Sequence, residues 1–532
     1  MNGNVLTMDD VQGPGRPTAI AVSGGVITYV GDDTTARSLG GDTTEVVDLD
    51  GRTVLPGFIE SHAHPTVYGT NLLDIDCRPQ VTGSVDRIQA EVEAAARAVA
   101  PGEWILGWGW DESRMENGIA PTRDELDRAA PDNPVLLRRV CGHMAVVNSA
   151  ALRVAGVEED TPDPDGGHLA RDAGGRLTGL LQEQAQSLVS PPDKTSSDIA
   201  RGFRLAQAKY ASWGITTIHD MSTRGADLRV YQELLNSGEL DIRLRPWFWA
   251  IQANYRDGVL SEALTTGLAS GFGNDMLKIQ GVKFMLDGSV GGRTAALAEP
   301  FEDSHDCGIL TMGLDETAPW VVAALDGGLR VAIHGIGERA IDVAIQACDL
   351  AAAQLGAERV GAMRNRIEHC ALPTEQNLQD MVRLGLVAAS SIGFVYSLGD
   401  SYLANLGPER VSRVYPHKSF QEHGIVAPGN SDSPVTEGNP WLGIYAAVTR
   451  TTHSGQVLDT VQNISVQDAL RAYTRDAAYA SFEEDRIGVI RPGAKADLNV
   501  VSQDPLTIDP QDLPSIQTVE TYLDGRKVYS AR

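Results

Sequence analysis

The sequence predicts an α/β protein: a (β/α)8 barrel of parallel strands, a small β-domain built from both ends of the chain, and an α/β insertion after the first barrel strand. Three observations predict it. From about residue 200 onward, helix-like and strand-like segments alternate, the pattern of βα units and a parallel sheet. Both ends of the chain read as short strands separated by tight turns. Finally, 532 residues are too many for one simple domain but suit such a barrel with an appendage or two.

From Asn4 to about Val54, apolar runs such as Ala19 to Val22 and Val26 to Val30 are punctuated by Gly24-Gly25 and Gly31-Asp32-Asp33, which reads as strands and hairpin turns. The same texture returns only in Asp497 to Val501 and Val519 to Tyr529. Strands from both termini in one sheet would shield edges that neither piece covers alone. The expected boundaries are therefore 1–56 and 485–532 for the terminal β-domain and 57–484 for the barrel, with the insertion at about 66–200. That insertion breaks the strand-then-helix rhythm. It holds a helical stretch from Val85 to Val99, the run Trp104 to Glu112, and a piece rich in Gly, Asp and Pro from Thr161 to Gly175.

Val54-Leu55-Pro56-Gly57-Phe58-Ile59-Glu60-Ser61-His62-Ala63-His64-Pro65 is an apolar run bounded by Pro-Gly and Pro, which suits a short buried strand. Residues i and i+2 of a strand share a face, so His62 and His64 can present both imidazoles to one metal ion. His-x-His alone is a weak signal. It gains weight because later apolar runs also end in ligand-type residues: Lys283 lies in Gly281 to Asp287, His334 ends Leu329 to His334, His369 ends Asn365 to His369, and Asp432 ends Gly424 to Asp432. Active-site residues of parallel barrels sit at the C-terminal ends of the strands, and this recurrence is what a barrel metal site looks like in sequence. For Asp432, in Ser-Asp-Ser-Pro, the plain alternative is an ordinary turn-forming residue; its register with the other strand ends argues against that.

These motifs resemble those of the amidohydrolase superfamily of metal-dependent hydrolases, and within it the YtcJ-like branch that includes N-substituted formamide deformylases. The pieces that carry the resemblance are Leu-Pro-Gly-Phe-Ile-Glu-Ser-His-Ala-His, Val-Lys-Phe-Met-Leu-Asp-Gly-Ser around Lys283, His-Gly-Ile-Gly-Glu-Arg-Ala-Ile-Asp from His334, Arg-Ile-Glu-His-Cys ending at Cys370, Asn-Ser-Asp-Ser-Pro-Val around Asp432, and Gly488 to Leu498. Together they span nearly the whole chain. The resemblance implies a distorted (β/α)8 TIM barrel, a β-sandwich made from both termini, and one or two divalent metals, zinc foremost, held by His62, His64, Lys283, His334, His369 and Asp432. Imidazoles and a carboxylate suit such borderline ions. An ammonium cannot ligate a cation, and the resemblance implies that Lys283 carries CO2 as a carbamate bridging two metals; the alternative is a cationic Lys283 that binds substrate or pairs with Asp287. Asp432 is the expected catalytic proton shuttle, taking the proton of a metal-bound hydroxide's parent water and passing it to the leaving nitrogen. Glu338 stands where this branch usually has Asp.

Other residues are weaker candidates for binding substrate. Trp108 and Trp110 form either an apolar wall or core, core being the better reading for at least two of the three insertion tryptophans. His143 matches a motif of the branch, His219 reads as the end of a strand beside Asp220, and Asp287, Ser289 and Arg293 follow Lys283 closely. Glu368, beside His369, reads equally as a pocket residue or as a structural acceptor that orients its neighbours. His168, His305, His417, His423 and His453 lie in polar or turn-like stretches and are assigned no role.

Composition narrows the partners. A net charge of −27 repels phosphate, which argues against nucleic acid and anionic membrane and leaves a small-molecule substrate; a homodimer is compatible. Five cysteines without Cys-x-x-Cys spacing, and no signal-peptide pattern at the start, point to a reducing cytoplasm. The expected reaction is hydrolysis of a carbon–nitrogen bond, amide in type. Ester hydrolysis, deamination or other chemistry on the same metal site is the first alternative, and a regulatory metal binder without turnover the second, because a fold does not choose its chemistry.

Overall fold

The structure is a computed structural model and describes all residues except 10–15, 141, 143, 165–166, 252–257 and 532. The chain forms two compact units, Met1–Pro65 with Gln207–Arg532, and Thr66–Ala206. No helix among the described residues is long and apolar enough to cross a membrane.

The first unit is built on seven parallel strands, here β1 (Phe58–Ala63), β2 (Ile215–Thr223), β3 (Arg243–Trp249), β4 (Gly281–Met285), β5 (Arg330–Gly335), β6 (Arg366–His369) and β7 (Val387–Ser390), which lie side by side in chain order. An eighth segment, 429–433, bridges the two edges: Gly429 pairs with Ser390 of β7 and Ser433 with Ala63 of β1. His64 N donates to Ser433 O at 2.8 Å, and Asp432 N to His62 O at 3.1 Å. The sheet is thereby almost closed into a barrel.

Period-two alternation decides what faces inward. Val282 and Phe284 of β4, Val331 and Ile333 of β5, and Ile367 of β6 all belong to a large apolar cluster that includes Val321 and Leu325 of the helix Leu314–Asp326 and Ile341, Ala344 and Cys348 of the helix Glu338–Leu355. Their strand neighbours Lys283, Ala332, His334, Arg366 and Glu368 are left for the inner side. Met221, Trp247 and Ala332 pack together there.

The two ends of the chain share one five-stranded sheet, in the order Asn4–Val5, Thr53–Pro56, Leu498–Val501, Thr518–Leu523 and Arg526–Ser530. A hairpin of Ala19–Ser23 and Val26–Gly31 stands beside it, bridged through Val26 to Lys495. Val5, Ile27, Val54, Leu498 and Val500 form their common core. A buried ion pair ties this sheet to the barrel, with Arg243 of β3 contacting Asp497 at 2.7 and 2.9 Å.

In the second unit, six strands pair in the order Gly167–Arg171, Leu177–Glu183, Met144–Val147, Val135–Arg139, Ile105–Trp110 and Ile75–Asp76. The helix expected over Val85 to Val99 runs Val85–Ala98 and is capped by Ser84, whose hydroxyl accepts from Arg87 N. Its Ile88 and Val92 pack on Trp110, Leu126, Leu137 and Val146.

Candidate active site

His62 and His64 leave the C-terminal end of β1 on one face, and the closing segment brings Asp432 to them. Asp432 Oδ1 lies 3.3 Å from His62 Nε2 and 3.0 Å from His64 Nε2. These three residues offer ligand atoms within 4.8 Å of one another. His369 of β6 joins through ring contacts, 4.7 Å centroid to centroid with His62 and 4.4 Å with His334 of β5. Four imidazoles from β1, β5 and β6 thus form a chain beside one carboxylate.

What each imidazole can do follows from what holds its other nitrogen. His62 Nδ1 is 2.5 Å from Glu368 Oε2, His369 Nδ1 is 2.8 Å from Ser391 Oγ, and His64 Nδ1 is 2.7 Å from Ser222 Oγ. Ser391 Oγ donates its own proton to Asn430 Oδ1 at 2.7 Å, so it accepts from His369, and Glu368 as a carboxylate likewise accepts from His62. Both rings therefore keep Nε2 as a lone pair. For His334 the roles reverse: Nε2 faces the carbonyl oxygen of Gly288 at 3.1 Å and must donate, which leaves Nδ1 as the lone pair.

Two buried atoms at this place have no hydrogen-bond partner among the described residues, His334 Nδ1 and Asp432 Oδ1. A lone pair and a carboxylate oxygen buried without donors are costly in a finished protein core and are what a bound cation satisfies. Electrostatics agree. Burial, then the charges of Lys283 and His369, push His62 well below the ordinary imidazole range, and burial, then His334 and Lys283, do the same to His369. Both rings are neutral at working pH, the form that ligates a metal. The donor set fits a divalent ion.

Local backbone makes the arrangement. Consecutive residues of a pleated strand point to opposite sides, yet Glu368 and His369 both serve the site; His369 at φ 66° and Cys370 at φ 48° turn the chain out of the pleat there. Asp432 also takes a left-handed conformation, φ 54°. Glu60 of β1, fully buried, accepts from Ser431 N at 3.1 Å, from Ser431 Oγ at 2.8 Å and from His62 N at 3.3 Å, and so brackets β1 to the segment bearing Asp432. Burial pushes the Glu60 carboxyl up to about 8.

Lys283 lies on β4, 2% exposed, near enough for its charge to act on His62 and His369. Asp287 organises the loop after β4, accepting from Ala296 N, Ile336 N and Gly337 N at 2.9, 3.1 and 2.8 Å, with His334 Nε2 at 3.1 Å. Ser289 Oγ accepts from Gly292 N, and Arg293 Nε donates to Asn405 Oδ1 at 2.9 Å. Glu338 accepts from Ala298 N at 3.2 Å. His219 corrects a sequence expectation: β2 continues to Thr223, so His219 lies mid-strand, and its Nδ1 accepts from Arg366 Nη1 at 2.8 Å. The chain stays extended past Asp220 because Thr223 Oγ1 and Tyr231 Oη satisfy that carboxylate, and it is Ser222 that reaches His64. In the insertion, Trp110 is core, 1% exposed, its indole donating to Leu137 O at 2.9 Å, while Trp108 is 7% exposed under the Arg78 guanidinium. His143 lies outside the described residues.

Sequence reasoning missed Glu60, Arg366, Ser222, Ser391 and Ser431. For the first two a signal existed, since Glu60 and Arg366 sit two residues before His62 and Glu368 and share their faces.

The chain resembles several known proteins along nearly all its length. It is 30% identical to "Putative amidohydrolase YtcJ" of Bacillus subtilis (strain 168), covering 97% of this chain and 96% of that protein. It is 28% identical to the N-substituted formamide deformylase of Arthrobacter pascens, covering 99% and 97%. Among solved structures, an uncharacterized metal-dependent hydrolase from Pyrococcus horikoshii OT3 superposes with a TM-score of 0.77 at 29% identity over 96% of this chain and 98% of that one. With residues 45–529 matched by the family model described as "Amidohydrolase family", the chain belongs to the amidohydrolase family, and it is an enzyme of the hydrolase class.

Proposed function

We propose that the protein is a metal-dependent hydrolase that cleaves an amide-type carbon–nitrogen bond of a small molecule, with Asp432 as its proton shuttle. The observation that carries this reading is the Asp432 carboxylate oxygen, buried without a hydrogen-bond partner and facing the Nε2 atoms of His62 and His64. The similarity to a formamide deformylase supports the choice of bond.

His62, His64, His334, His369 and Asp432 would hold a divalent ion, zinc foremost for this donor set. Such an ion supplies Lewis acidity toward a carbonyl oxygen and lowers the pKa of water. The protein's own groups do the rest. The Asp432 carboxylate accepts the proton of the attacking water and then gives it to the leaving nitrogen, while Glu60, through Ser431, holds the segment that aims it. The Lys283 amine, deprotonated and carboxylated by CO2 with loss of a second proton, would offer that ion an anionic carbamate in place of a repelling ammonium. Cys77, Cys348 and Cys370 are buried unpaired thiols, which supports a reducing, cytoplasmic setting.

The test is elemental analysis of the purified protein together with assays of N-substituted formamides, aryl amides, carbamates and aryl esters before and after chelation. Amide turnover that disappears with the metal and returns with it is expected. Asp432→Asn keeps the shape of the side chain and should lower turnover by about 10²–10⁴-fold while metal content falls far less. A variant that turns over amides at the wild-type rate, or metal-free protein that remains active, refutes the reading.

A further inference from the structure

We propose that Glu368, clamped by Arg366, is a positioning residue for His62 that sets the affinity of the site for its divalent cation; the inference rests on the metal-hydrolase reading above. The bond between Glu368 Oε2 and His62 Nδ1, 2.5 Å, crosses the barrel interior, because β6 and β1 are not neighbours in the sheet. A carboxylate sent alone into that interior would be poorly tolerated. Arg366, two residues earlier on the same face, makes it tenable by binding both oxygens, Nε to Oε1 at 2.7 Å and Nη2 to Oε2 at 2.8 Å.

Arg366 is itself immobilised. Its Nη2 also donates to Ser61 O of β1 at 2.8 Å, and its Nη1 to His219 Nδ1 of β2 at 2.8 Å. Arg366, Glu368, His62 and His219 are each 1% exposed or less, so water does not compete for these bonds. The orientation of His62 is therefore fixed from three strands, the rigid support that a ligand needs to hold its geometry without the ion.

His62 differs in this from its companions. His64 and His369 are oriented by the hydroxyls of Ser222 and Ser391, and His334 contacts the Gly288 carbonyl and the Asp287 carboxylate, a group already engaged by three backbone amides. Among the described residues Glu368 accepts from no backbone donor and spends its charge on His62 and Arg366. A carboxylate partner holds the imidazole in one tautomer and makes its other nitrogen a stronger donor, and loss of such a partner commonly weakens metal binding about 10–100-fold.

The experiment measures zinc affinity of the metal-depleted full chain by competition with a chromogenic chelator, alongside thermal midpoints of the metal-free forms. Glu368→Asp keeps the charge that Arg366 requires but withdraws it from His62 by one methylene; a 10–100-fold weaker affinity with a nearly unchanged metal-free midpoint is expected. If that variant does not fold, the paired replacement Arg366→Met with Glu368→Met, which removes both buried charges together, decides with the same expected loss. A role exercised through His62 must vanish when His62 is gone, so His62→Asn and His62→Asn with Glu368→Asp should bind zinc equally weakly. Wild-type affinity in Glu368→Asp, or the same further loss in the His62→Asn background, overturns the proposal. Wild-type protein that takes no zinc at all overturns the metal-hydrolase reading instead, and this inference with it.

Discussion

Glu60 gives the prediction whose size follows most directly from the structure. Its carboxyl is fully buried, and burial raises it from an ordinary value of 4.5 to about 8. The folded protein therefore holds a proton that the unfolded chain releases. Between those values the native state binds more protons than the unfolded state, so this group's contribution is fully present below about 4.5 and is lost as pH rises toward 8. At about 1.4 kcal/mol per unit, the loss has an upper bound of about 5 kcal/mol at alkaline pH. Glu60→Gln should remove this dependence without breaking a bond: Oε1 still accepts from Ser431 N and His62 N, and the amide donates to Ser431 Oγ, which serves as donor or acceptor. The assay is thermal unfolding of the metal-free wild type and variant between pH 5 and 8.5. Metal must be absent because a nearby cation favours the carboxylate and hides the effect. The variant's advantage should grow with pH by several degrees in midpoint; curves that stay parallel, or a variant less stable by the same amount throughout, refute a neutral Glu60.

Lys283→Ala should lose metal and activity together and recover part of both with added short carboxylic acids, because it removes the proposed carbamate ligand; an unmodified ammonium about 4 Å from a cation would instead cost about 4 kcal/mol per unit charge at an intermediate dielectric, and its loss would strengthen binding. Retention of a full metal complement by the variant refutes the carbamate. Trp110→Ala should destabilise the chain by about 3–5 kcal/mol in denaturant unfolding, since it empties the core between Ile88, Leu126 and Val146. A variant of unchanged stability but altered substrate preference would overturn the core role.

How much of this was legible in the sequence depends on the distance over which each contact reaches. His62 and His64 were visible because the strand period alone puts them on one face, and Lys283, His334 and His369 because apolar runs of β-branched residues mark the strands that carry them. Asp432 was visible only through its register with the others; nothing local distinguishes Ser431-Asp432-Ser433 from a turn, and the bridge of Ser433 to Ala63 that makes it a barrel segment spans most of the chain. His219 was misplaced for a related reason. Asp220 looks like a strand terminator until Tyr231, on the following helix, satisfies it and lets the strand run on to Thr223. The tryptophans of the insertion could not be sorted by composition, because an aromatic run reads the same whether its indoles face a ligand or, as Trp110 does, a neighbouring strand's carbonyl.

The groups that escaped the sequence altogether are those that hold others in place. Ser391 earns no attention in Ala-Ser-Ser-Ile, and its role depends on an Asn430 that fixes the direction of its proton. Glu60 and Glu368 are both fully buried glutamates that contact His62, a proposed metal ligand, yet their surroundings differ: Glu368 meets a guanidinium on the same strand, whereas Glu60 meets backbone amides and a hydroxyl. The guanidinium supports a charge on the first, whereas at the second burial outweighs those donors and favours a proton. One carboxyl can therefore sharpen a histidine as a donor while the other ties the barrel's closing segment without adding negative charge beside Asp432. That division of labour is written in pairwise geometry, and it explains why a motif names the ligands of such a site long before it names what aims them.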